Sequence, residues 1–147
     1  MAAPCYDLQS EPVVFLDIDG TLRRTSAPKY QLEGHLVENL EMFLVSRRED
    51  SQVVITSSWK DVYTLDRIRA HFPSSLQQIV GTTPALETVR EHQWYREIRA
   101  YLKKNGLEES DWIAIDDQAE LFPAGLKNLI LVDASVGFEV PARADLL

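Results

Sequence analysis

Five short runs of apolar, β-favouring residues, at 13–16, 52–56, 78–80, 112–115 and 128–132, constrain the fold of this chain most. A strand with one wet face alternates apolar and polar residues. Unbroken runs this short suit strands buried on both faces, as in a parallel sheet covered by helices. Helical periodicity fills the intervals. Leu32, Leu36, Leu40, Phe43 and Leu44 fall on one face of a helix ending near Arg48. Val62, Leu65, Ile68 and Phe72 mark a second helix, with Ser58 and Asp61 spaced as an N-terminal capping pair. Trp94, Ile98, Tyr101 and Leu102 mark a third, closed by Asn105-Gly106. Strands alternating with helices predict an α/β fold: a Rossmann-like three-layer sandwich on a five-stranded, mostly parallel sheet. The 147 residues suit a single domain, with 1–11 as an N-terminal extension and 134–147 as a C-terminal tail.

In such a sheet the ligand sits outside the carboxyl ends of the strands. Asp17-Ile18-Asp19 follows the first strand, Thr56-Ser57-Ser58 the second and Asp116-Asp117 the fourth. Extended backbone would turn Asp17 and Asp19 to one side and Ile18 to the other. Gly20 permits a sharp turn that Thr21 can anchor. Carboxylates converging in one crevice raise each other's cost of ionisation unless a cation lies among them, and an all-oxygen set suits Mg²⁺. A carboxylate nucleophile beside such an ion can form an aspartyl-phosphate. Asp19 can then give a proton to the leaving oxygen and later take one from water. Thr56 and Ser57, with the backbone amides behind them, can hold phosphate oxygens.

Other chemistries are excluded more cheaply. The net charge of −8 disfavours stable nucleic-acid binding or attraction to an anionic membrane, leaving only local groups such as Arg23, Arg24 and Lys60 for a polymer. Cys5 is the sole cysteine, which rules out an intrachain disulfide and a cysteine-based zinc site. The opening MAAPCYDLQSEP has no signal-peptide pattern, and no apolar run nears the roughly 20 residues that span a bilayer, so a cytoplasmic location is expected. A calcium loop starting at Asp17 fails, because Pro28 stands where the closing glutamate belongs.

The motifs FLDIDGTL, VVITSSW and WIAIDD resemble motifs one, two and four of the haloacid dehalogenase-like (HAD) phosphohydrolases. That resemblance implies a Mg²⁺-dependent phosphatase with Asp17 as nucleophile, Asp19 as general acid/base and Thr56 as phosphate binder. It also implies a metal site at Asp116 and Asp117, to which Asp17 and Asp19 are added. Aspartate at position 19 is similar to the phosphatase branch of the superfamily rather than the dehalogenases. ITSSW, REIRAYL, WIAIDD and LVDASVGF together resemble a small bacterial and phage branch with relatives in RNA-repair polyproteins. The third motif, a Lys or Arg that neutralises nucleophile and phosphate, has several candidates: Arg90, favoured, with Lys60, Arg96 and Arg99 behind it. Both gaps that hold cap domains in larger members are short here, so the site is expected to be capless and open.

The substrate is then a phosphorylated compound of open class: an oligonucleotide end, a phosphoprotein or a small ester. The competing reading is a HAD-like binding or regulatory module with little turnover. Ser58 reads as a helix cap, Trp59 and Trp94 as packing anchors, and His35, His71 and His92 as surface or core-edge residues. Arg23-Arg24 reads as solvated unless it meets a substrate anion, and Asp133 as a cap or a supporting acid.

Overall fold

The computed structural model describes residues 13–45, 51–74, 76, 78–86 and 91–139. Its sheet has five strands: β1 (Val13–Leu16), β2 (Gln52–Ile55), β3 (Ile79–Thr82), β4 (Trp112–Asp116) and β5 (Leu129–Leu131). They run in the order β3-β2-β1-β4-β5, and every pairing is parallel. Helices α1 (Gly34–Val45), α2 (Leu65–Arg69) and α3 (Gln93–Lys104) cover the two faces. This is the Rossmann-like α/β sandwich expected, and no cap domain is present among the described residues.

Alternate side chains of β1 enter opposite layers, which is why the strand is apolar throughout. Val14 and Leu16 pack with Leu36, Leu40 and Phe43 of α1 and Ile68 of α2. Val13 and Phe15 pack with Ile98 and Leu102 of α3, and the Phe15 ring meets Tyr101 and Trp112 edge-on at 5.7 Å. Fully burying such side chains stabilises by about 1.5–3 kcal/mol each, so the middle strand is the best anchored part of the chain.

Several boundaries differ from the sequence reading. β3 lies at Ile79–Thr82 rather than 78–80, because its register on β2 shifts between Val53 and Val54. The helix expected from Val62 to Phe72 is split. Ser57, not Ser58, caps a 3₁₀ turn over Ser58–Asp61 by accepting from Trp59 N, and Thr64 caps α2 by accepting from Arg67 N. The Thr64 hydroxyl takes an N–H that one continuous helix would have bonded internally, and Ser57 satisfies one that the first turn leaves free. The end of α1 near Arg48 lies outside the described residues.

Part of the tail belongs to the core. Phe138 is buried against Phe43 at 5.6 Å, its N–H donates to Thr21 O at 2.7 Å, and Asn39 Nδ2 donates to its carbonyl at 2.8 Å. Gly137, at φ +86°, is required there, since a Cβ would lie 2.4 Å from Leu36 Cδ1.

Candidate phosphoryl-transfer site

Leu16 pairs with both Ile55 and Ile115, so β1, β2 and β4 end in step. The next residues, Asp17, Thr56 and Asp116, thereby stand side by side at the carboxyl edge. Asp17 N donates to Ile115 O and Thr56 N to Leu16 O, both at 3.0 Å. All three are buried. Ligand oxygens of Asp17, Asp116 and Asp117 lie within 4.8 Å of one another, the only such acidic group among the described residues. Gly20, at φ +86°, makes the approach possible, because a Cβ there would sit 2.3 Å from Asp117 Oδ2.

The electrostatics of this trio are unfavourable as it stands. Burial, then the Asp116 charge and the hydrogen bond that the neutral Asp17 carboxyl makes to Asp117, push the Asp17 carboxyl well above its ordinary range, against a single Thr21 hydroxyl donor at 3.2 Å. Burial raises Asp116 to about 7, with the Asp117 charge adding to it and the Gln118 amide, at 2.9 Å from Oδ1, opposing it. Asp116 Oδ2 is buried with no hydrogen-bond partner. Three hard oxygen donors, one of them an orphaned buried atom, fit a divalent cation retaining some waters.

Asp19 does not join the trio. Its Oδ1 accepts from Arg23 Nε at 3.0 Å and from Trp59 Nε1 at 3.1 Å. It nevertheless lines the same crevice, a cavity of about 250 Å³ shared with Asp17, Asp117, Ser57 and Ser58. Thr56 is buried and not part of that lining, whereas Ser57 lines it and its hydroxyl caps the 3₁₀ turn. Arg23 is the one basic residue among the described ones that lines the crevice.

The other basic candidates sit elsewhere. Lys60 Nζ is paired with Glu97 and bonded to Thr83 Oγ1 at 3.0 Å, 4.8 Å above the Trp94 ring that forms a wall of the crevice. Arg96 and Arg99 line a separate cavity of about 560 Å³ beside Tyr95 and Pro123. Arg90 lies outside the described residues. The two residues that sequence reasoning underrated are Trp59 and Arg23. Their only signal was adjacency, one directly after the second motif's hydroxyls and the other directly after the first motif.

One protein-family model, described as the HAD domain in Swiss Army Knife RNA repair proteins, matches residues 13–142. The chain belongs to this family. No curated protein and no solved structure matches it. The HAD fold, the absence of a cap among the described residues and the acidic strand ends thus agree, and at superfamily level the family is of the phosphohydrolase kind. No helix among the described residues is long and apolar enough to cross a membrane.

Proposed function

We propose that this HAD domain is a Mg²⁺-dependent phosphomonoester hydrolase working through an aspartyl-phosphate on Asp17. The observation that carries the proposal is the trio of carboxylates, Asp17 and Asp116 buried and Asp117 half-buried, opening onto a crevice that also holds Asp19. Asp17, Asp116 and Asp117 would hold Mg²⁺, whose charge offsets theirs and that of a phosphate dianion. An Asp17 oxygen attacks phosphorus as the bond to the leaving oxygen breaks, and Asp19 supplies that oxygen with a proton. Water then attacks the phosphorus, gives its proton to Asp19, and frees Asp17 and inorganic phosphate. Thr56, Ser57 and the amides of the 3₁₀ turn cradle the phosphate oxygens. Arg23 supplies positive charge at the rim, with Lys60 and Arg90 as the other basic candidates.

The crevice, about 250 Å³, is smaller than the usual pocket for a small-molecule ligand and offers few contacts beyond the phosphate. Selectivity must then come from a substrate that covers the site itself, and a phosphorylated oligonucleotide end fits the family's description best. Phosphoproteins and small esters are the competing substrates, and a cytoplasmic setting suits all three. The pairing of Lys60 with Glu97 favours a second reading, a weakly active binding module lacking the third-motif cation. Phosphate release from an aryl phosphate separates the two. Turnover should require Mg²⁺, stop with chelator, and fall by about 10³-fold or more in Asp17→Asn. Absence of Mg²⁺-dependent turnover in the wild type would favour the module.

A further inference from the structure

We propose that Trp59 is a positioning residue for proton transfer, its indole N–H fixing which oxygen of Asp19 carries the proton. The inference rests on the phosphatase reading above and deepens it. Two donors converge on one atom: Trp59 Nε1 at 3.1 Å and Arg23 Nε at 3.0 Å both reach Asp19 Oδ1. Neither is free to follow a rotating carboxylate. Trp59 is 1% exposed, with its ring centroid 4.9 Å from His71, 5.5 Å from Tyr30 and 5.6 Å from Tyr63. Its own backbone N–H is held by Ser57 Oγ at 3.1 Å, so the residue is tied to the crevice at both ends. Arg23 is braced by Ala27 O at 2.7 Å.

Both N–H groups can only donate, so Oδ1 must accept and cannot carry a proton toward either of them. Oδ2 is therefore the oxygen free to give or take the transferred proton. In the first half-reaction it leaves Oδ2 for the leaving oxygen as that oxygen separates from phosphorus and Asp17 bonds to it. In the second, Oδ2 takes a proton from water as the water oxygen bonds phosphorus and the Asp17 bond breaks. Without the indole, Arg23 alone would hold Oδ1, and the fraction of time the carboxylate is aligned would fall. Correct placement of an acid governs its contribution, which is typically about 10²–10⁴-fold.

The test is a leaving-group series: kcat/KM with Mg²⁺ for aryl phosphates from dinitrophenyl to phenyl, plus an alkyl phosphate. Esters with poor leaving groups need the proton most. Trp59→Phe should therefore lose at least about tenfold more on phenyl and alkyl phosphates than on the dinitrophenyl ester, steepening the leaving-group slope. In an Asp19→Asn background, Trp59→Phe should leave the slope where Asp19→Asn put it. Should the ring exchange prevent folding, β-(3-benzothienyl)alanine at position 59 removes only the N–H and should steepen the slope equally. A uniform loss across the series, or no loss, would overturn the positioning role while leaving the phosphatase intact. A wild type that hydrolyses none of the esters would overturn the phosphatase reading and this inference with it.

Discussion

Two groups of charge adjoin Trp94, which lines the crevice and lies 4.8 Å from Lys60 Nζ. On the crevice side stand Asp17, Asp116 and Asp117, three like charges with one orphaned oxygen. Beside the ring stands Lys60 with Glu97, opposite charges whose side chains are 6% and 4% exposed, completed by the Thr83 hydroxyl. Burial costs both groups solvation. The Lys60–Glu97 pair neutralises its charge within the protein, whereas the trio requires a cation from outside. A buried ion pair is thus no functional signal, and an uncompensated buried cluster is one.

The comparison predicts opposite signs. Glu97→Gln leaves the Lys60 ammonium buried without its counter-charge and should destabilise by about 3–5 kcal/mol, read from denaturant unfolding. Above pH 7, where Asp116 is ionised, Asp116→Asn removes a like charge from the trio and should stabilise the metal-free protein, by about 1 kcal/mol on the scale of such buried repulsions. If both variants destabilised metal-free protein equally, the two groups would not differ as described.

Acidity sharpens the same contrast. Asp116 has a folded-state value raised from 3.8 to about 7, and Asp17 shifts in the same direction. The folded chain then holds more protons than the unfolded chain between those values. Stability contributed by the neutral carboxyls is present at low pH and lost as pH rises through that interval. Melting midpoints in chelator should fall from pH 5 to pH 8. Glu33 has the opposite sign, since the Arg24 guanidinium and amide hold it at about 2, so its contribution is lost only in stronger acid. A metal-free midpoint that rose from pH 5 to pH 8 would refute the raised Asp17 and Asp116 carboxyls, which burial, then like charge, produces.

How far the sequence carried this picture depends on the range of the interactions. The five strands were legible because burial on both faces writes itself into consecutive residues, and β1 was read to the residue. Asp17, Asp116 and Asp117 were legible because each ends a strand. The split at Thr64 was not. Val62 fits a helical stripe with Ile68 and Phe72, yet it is exposed, and the choice between one helix and two turns was made by hydroxyl caps. Phe138 sits in a stretch read as tail, and only its long-range bonds to Thr21 and Asn39 place it in the core. The bond from Trp59 to Asp19 spans 40 residues, which no local period can encode. Arg90 falls on residues outside those described.

The most direct measurement is a Mg²⁺ titration followed by melting midpoint at pH 7.5, on wild type and Asp116→Asn side by side. A cation that binds only the folded trio stabilises by mass action, about 2.7 kcal/mol at a hundred times its dissociation constant. The wild-type midpoint should climb several degrees with millimolar Mg²⁺ and return to its starting value with chelator, while Asp116→Asn should move far less. Identical wild-type midpoints with chelator and with saturating Mg²⁺ would contradict the claim that these three carboxylates form a metal-dependent phosphoryl-transfer centre.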